Sequence, residues 1–149
     1  MPNWVYNNLT VTPNPDAGGT VKDVAALVEQ VGKPFTVQVK NFRDGETQTH
    51  MVEGPFMFWN IDHPEGEDLE KYDQSLIDGG ASPFWYDWNV NNWGTKWDTN
   101  GEVGFTDHGP DHKQYTFETA WSPPIEVLTT LSAQHPNLHI ELEWEEEQG

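Results

Sequence analysis

Asp107-His108 and Asp111-His112 set two histidines four residues apart, the spacing at which a helix presents both imidazoles to one zinc ion. Gly109-Pro110 lies between them and breaks the helix that this chemistry needs, so the segment is expected to be a loop without a metal. His135 and His139 fail in the same way, with Pro136 between a helix end and a strand. Asp98-x-Asn100-Gly101-Glu102 has some acidic ligands of a calcium loop but neither its length nor its terminal ligand, and Asn-Gly explains it better as a hairpin turn. Asp87 and Asp98, each beside tryptophans that could stack on a sugar, are the pair a carboxylate-dependent hydrolase would use. Such pairs work when held about 5–5.5 or 6.5–9.5 Å apart. With 25 acidic residues in the chain, however, a carboxylate next to a tryptophan is expected by chance. No catalytic residues, metal or cofactor are therefore expected, and a hydrolase is kept as an alternative.

Lys96 stands between Trp93 and Trp97 and is one of six lysines. An ammonium over an indole face and beside Asp98 gains a cation–π contact and an ion pair, each worth about 0.5–2 kcal/mol when partly buried. A clamp between chain segments is the favoured reading over a grip on a ligand. Near the C-terminus, Glu141, Glu143 and Glu145 alternate with Leu142 and Trp144 and run on into Glu146 and Glu147. These glutamates are the candidate partner-binding residues, able to present regularly spaced charge as DNA phosphates do. The competing reading is protection of a strand edge by charge.

The charge balance narrows the partner. Twenty-five Asp and Glu against seven Lys and Arg give −18, with Arg43 the only arginine. Affinity for nucleic acid or an anionic membrane rests on Lys and Arg displacing counterions, so neither is an expected partner. A protein with a basic surface is the natural complement, and solubility alone is the competing explanation. There are no cysteines, hence no disulfides or thiolate metal sites. Met1-Pro2-Asn3-Trp4 lacks the basic and apolar runs of a secretory signal, and no apolar stretch approaches the roughly 18 residues of a spanning helix. A cytoplasmic location is expected, and 149 residues fit one domain with an adequate core.

The elements that must position these groups centre on Ser82–Asp98, which holds four of the eight tryptophans and is the expected centre of the core. Ser82-Pro83 is a good helix start and predicts a helix over Pro83–Asn92, with Phe84, Trp85 and Trp88 on one side and Tyr86, Val90 and Trp93 on another. Gly94 supplies a C-terminal cap, and Thr95-Lys96-Trp97 reads as the start of a strand. Upstream, Trp4–Thr12 alternates as a strand and Thr20 with Asp23 opens a helix to Val31, ended by Gly32. Phe35–Phe42 and Thr47–Val52 read as a hairpin turning at Arg43–Glu46, with Gly54–Trp59 packed against it. Asp62–Gly80 reads as an acidic surface loop with one helical turn around Leu69–Tyr72. Downstream come a strand at Val103–Thr106, a strand Gln114–Trp121 with Tyr115, Phe117, Thr119 and Trp121 on one face, a helix Pro124–Gln134 burying Ile125, Leu128 and Leu131, and a strand Leu138–Trp144.

Two Trp-centred segments carry a family resemblance. Asn92-Trp93-Gly94-Thr95-Lys96-Trp97-Asp98, followed by Thr119-Ala120-Trp121-Ser122-Pro123-Pro124, resembles the paired signature of the YubB ferredoxin-like domain family, Api-like proteins carried by phages and plasmids. Met1-Pro2-Asn3-Trp4 and Glu143-Trp144-Glu145 fit as well. The resemblance implies an α+β, ferredoxin-like βαββαβ antiparallel sheet with two helices on one face. A Trp-rich insertion, residues 35–92 of a single domain spanning 1–149, would lie between the first helix and the second core strand. It implies no established activity and no catalytic residues. The expected function is non-catalytic binding of a host or phage protein with a basic surface, by a small accessory protein of a mobile element. A small-molecule or glycan binder using the Trp-rich insertion is the other alternative.

Overall fold

The computed structural model describes residues 3–40, 44–77, 83–99 and 102–146. Ten principal elements follow in order: β1 Trp4–Pro13, α1 Val21–Val31, β2 Phe35–Lys40, β3 Thr47–Val52, α2 Gly66–Ile77, α3 Phe84–Trp93, β4 Gly104–Asp107, β5 Lys113–Ala120, α4 Ile125–Gln134 and β6 Leu138–Glu146. The chain is α+β. Four strands form an antiparallel sheet in the order β4-β5-β1-β6, while β2 and β3 pair with each other as a separate sheet.

Alternation along β1 puts Val5, Asn7, Leu9 and Val11 on the buried face, because successive side chains of a strand point to opposite sides. The registers place Tyr115 and Phe117 of β5, with Leu142 and Ile140 of β6, on that same face. Val24, Leu27 and Val31 of α1 and Val127, Leu128 and Leu131 of α4 close the layer above. The start of α1 is fixed by the Asp23 carboxylate, which accepts from the Thr20 backbone N–H at 2.8 Å, satisfying a donor that the first helical turn leaves free.

Several expectations are corrected. The core centres on Phe56, Phe58, Tyr115 and Phe117, whose rings pack at centroid distances of 4.9–6.1 Å. From the central aromatic stretch Trp93 alone joins them fully, its indole N–H donating to the Asp62 carbonyl at 2.9 Å. Tyr86 and Val90, grouped with Trp93 in the sequence pattern, are exposed. Of the expected loop Asp62–Gly80, residues 66–77 are helix and 78–80 lie outside the described residues: α2 begins with Glu67 and Asp68 where the helix dipole favours carboxylates, and Tyr72 anchors it with a hydroxyl donated to Asn89 Oδ1 at 2.8 Å. Thr95–Trp97 is a run of bends, not a strand, since its polar groups are spent on neighbouring segments as described below. Ile125 is exposed and Val127 takes its place in the core. Trp121 lies beyond the end of β5 with φ of 74° and is half exposed, a backbone conformation that is uncommon for a bulky side chain. Ser82, Arg43, Phe42, Asn100 and Gly101 lie outside the described residues.

Candidate binding face

The two Trp-centred segments meet. The Thr95 hydroxyl donates to the Ala120 carbonyl at 2.8 Å, the Ser122 hydroxyl donates to the Gly94 carbonyl, and the Thr119 hydroxyl donates to the Ser122 carbonyl at 2.7 Å. Asn7 reaches the same knot from β1, donating to Thr119 Oγ1 at 3.0 Å. Gly94 caps α3 with φ of 84°, and a Cβ there would run into the Glu126 carboxylate of α4. The signature thus joins α3, β5 and the start of α4 mechanically.

Asp98 completes the joint. Its Oδ1 accepts from the Phe58 and Thr99 N–H groups at 2.7 Å each, and its Oδ2 from Trp59 at 3.1 Å. Both oxygens are thereby engaged with backbone, which leaves Asp98 holding the 58–60 turn in place rather than serving a carboxylate pair with the exposed Asp87. Burial pushes its carboxyl up to about 6, against the three N–H donors, which favour the ionised form.

Lys96 meets one expected ring, Trp97, and one unexpected, Tyr86. Its ammonium lies 4.4 Å from the Trp97 ring centroid and 6.0 Å from that of Tyr86. The expected partners Trp93 and Asp98 are occupied elsewhere, and the ion pairs among the described residues are Lys71–Glu67 and Lys113–Asp107.

His108 and His112 stack at 4.5 Å in the turn between β4 and β5, where His108 Nε2 meets Gln114 Oε1 at 2.7 Å. Asp107 accepts from Lys113 Nζ at 2.7 Å. His135 instead bridges α4 to α1 through Gln30 Oε1 at 2.6 Å. Among the described residues no group of three or more His, Asp or Glu side chains could hold a metal ion.

The face of the sheet opposite the helices is open. On β1, Tyr6, Asn8, Thr10 and Thr12 point to it, and the registers set Glu145, Glu143, Glu141 and His139 of β6 beside them in turn. From β5, Glu118 stands beside Tyr6 and Thr116 beside Asn8. Glu141, Glu143 and Glu145 are exposed there as the alternation predicts. Glu146 is also exposed but pairs with Val5, which puts it on the other face, so it does not join the row. Glu147 lies outside the described residues.

A groove of about 950 Å³ runs across one end of this open face. Tyr6, Asn8, Thr116, Glu118, Glu143 and Glu145 of the open face line it, and Trp97–Thr99 with Glu102 add a wall. Trp4 and Trp97 close one end with ring centroids 6.2 Å apart. Four exposed carboxylates line it, from Glu102, Glu118, Glu143 and Glu145, while Asp98 borders it with both oxygens engaged by backbone N–H groups, and no Lys, Arg or His is among its described lining residues. Sequence reasoning found Glu143 and Glu145 but missed Tyr6, Glu118 and Glu102. The alternation that carries Tyr6 and Glu118 was legible, but only the fold brings three strands and the segment before β4 to one place.

That segment and the three strands and helix after it belong to one recognisable unit. Residues 92–149 match the family model described as the ferredoxin-like domain in Api92-like protein. This ferredoxin-like stretch contains both signature segments, so the resemblance read from Asn92–Asp98 and Thr119–Pro124 is borne out. Neither the curated proteins nor the solved structures give a match. No helix among the described residues is long and apolar enough to cross a membrane.

Proposed function

We propose that the chain is a non-catalytic binding protein that docks a basic partner protein on the open face of its four-stranded sheet. The observation that carries this reading is the groove itself, lined by the exposed carboxylates of Glu102, Glu118, Glu143 and Glu145 and by no basic side chain among the described residues. Clustered like charge without local compensation is costly to the folded state and complementary to a basic surface. Edge protection accounts for charge on β6, but not for Glu118 of β5 and Glu102, which border the same groove from the opposite side.

The finer architecture belongs to the same proposal. Strands β1, β4, β5 and β6 with helices α1 and α4 follow the βαββαβ order, and β2 to α3 form an insertion after the first helix. A mobile-element accessory protein working in the cytoplasm of a host cell is the setting that the family resemblance supplies. Mimicry of DNA is the weaker form of the reading. Alternate residues of a strand are about 6.7 Å apart, whereas duplex DNA carries one charge per about 1.7 Å of its axis. The glutamate row therefore suits a few basic side chains better than a DNA-binding channel.

Immobilised protein should capture a basic host protein from lysate at low salt and release it near 1 M, where the Debye length falls to about 3 Å. The variant with Glu141, Glu143 and Glu145 changed to Gln should capture less of it. Equal capture by both proteins, or retention at 1 M salt, would refute docking through this face.

A further inference from the structure

We infer that the aromatic end of this groove is a recognition pocket for an arginine side chain; the inference deepens the docking reading and rests on it. Tyr6 stands directly beside Glu118 on one neighbouring strand and Glu145 on the other, so a single cross-strand row reads Glu, Tyr, Glu. Adjacent strands are about 4.8 Å apart, which places the two glutamate backbones about 10 Å apart with the phenol ring midway. A cation seated on that ring is within side-chain reach of both carboxylates. Tyr6 is 46% exposed, so the row is accessible. Trp4 shares the same side of β1, and Trp97 stands beside it at 6.2 Å.

Nothing in the described structure neutralises this row. Its two glutamates take no part in the Lys71–Glu67 and Lys113–Asp107 ion pairs, and Lys96 is directed to Trp97 and Tyr86. No three carboxylates converge closely enough among the described residues to hold a metal ion. Carboxylates spread around an aromatic floor call for an extended organic cation. Guanidinium fits better than ammonium because it is planar, weakly hydrated, stacks on aromatic rings and donates to carboxylates from its edge. Lysine is a compact charge that would sample the carboxylates without using the ring.

The test is calorimetric titration of the full chain at low ionic strength with octa-arginine and, separately, octa-lysine. Octa-arginine should bind at least tenfold tighter. Tyr6→Leu, which keeps apolar bulk, should abolish that preference, while Tyr6→Phe, which keeps the ring, should retain it. Glu118→Gln with Glu145→Gln should weaken octa-arginine about tenfold, more than Glu141→Gln outside the row. Equal affinity for the two peptides, or an arginine preference indifferent to both Tyr6→Leu and the double glutamine variant, would overturn the arginine pocket and leave the docking face standing. Absence of binding by either peptide would remove the docking face and the pocket with it.

Discussion

The Thr95 hydroxyl donates to the Ala120 carbonyl across a contact in which both residues are 1% exposed. A strand-end carbonyl removed from water needs partners, and here the Ser122 N–H at 2.9 Å and a side chain from the bend after α3 both supply them. Beside it the Ser122 hydroxyl returns a bond to the Gly94 carbonyl. The two Trp-centred segments are therefore halves of one joint, which locks the aromatic helix α3 onto the end of β5. The joint also carries Trp97 and Asp98 to the wall of the groove.

Thr95→Val keeps the shape of the side chain and removes one of the two donors to the Ala120 carbonyl, which keeps the Ser122 N–H at 2.9 Å, so unfolding in urea should show a loss of about 0.5–1.5 kcal/mol, the net worth of one hydrogen bond. Ser122→Ala should cost a similar amount. Because the two bonds brace the same pair of segments, the double variant should depart from additivity by about 0.5 kcal/mol or more. Strict additivity would show that the bonds act separately and that there is no common joint.

Asp98 gives a pH signature with a definite sign. Its folded-state value of about 6 lies above the ordinary 3.8, so the folded form holds its proton more tightly than the unfolded form. Its contribution is fully present below pH 4 and is lost as pH rises through 6, a change of up to about 3 kcal/mol. His135 works in the other direction, because burial holds its value below the ordinary 6.5 and stability falls as it is forced to protonate. The comparison must therefore be made against Asp98→Asn. That variant should be less stable throughout, since an amide N–H₂ would face a backbone N–H, and should lack the decline between pH 4 and 6. A parallel pair of stability curves across that window would count against a buried, raised Asp98.

How much of this was legible from sequence depends on whether a residue's role is local. The alternation of β1, β5 and β6, the Thr20–Asp23 start of α1 and the Gly94 cap each rest on neighbours within a few positions, and each appears where the pattern places it. Asp98 does not, because its partners Phe58 and Trp59 lie about 40 positions away and nothing adjacent distinguishes it from other acids beside tryptophan. Helix α2 was missed because its acidic opening reads as a solvated loop, although the Tyr72–Asn89 bond to α3 secures it. The glutamate row was half legible. Alternation showed which β6 side chains share a face, but the addition of Glu118 and the loss of Glu146 follow from register.

The aromatic residues should separate by burial. Phe56→Ala and Trp93→Ala remove fully packed rings and should each cost about 3–5 kcal/mol. Trp144→Ala, at 50% exposure, should cost well under half as much. Trp97→Ala should fall between them, since its half-buried ring supports Trp4 and the Lys96 ammonium. Thermal unfolding of the four variants would check the ranking, and a Trp97 loss as large as that of Trp93 would place the centre of the core nearer the groove than the packing indicates.

The final prediction concerns the rate at which a partner arrives. Glu141, Glu143 and Glu145 point away from the apolar layer that holds Leu138, Ile140 and Leu142, so changing all three to Gln removes no packing. Relief of repulsion along the strand should leave stability equal or slightly higher. Charge on an open face acts mainly by steering encounter, which speeds association at low salt and fades as salt rises. The triple variant should therefore bind a recovered basic partner with a lower on-rate at low ionic strength, and the difference from the unaltered protein should vanish near 1 M salt. Dissociation should quicken only through Glu145, the one of the three that stands beside Tyr6, so Glu141→Gln with Glu143→Gln should lower the on-rate and leave dissociation nearly unchanged. An on-rate identical to that of the unaltered protein at every salt concentration would reduce these three glutamates to solubility and edge protection and shift the docking site away from β6.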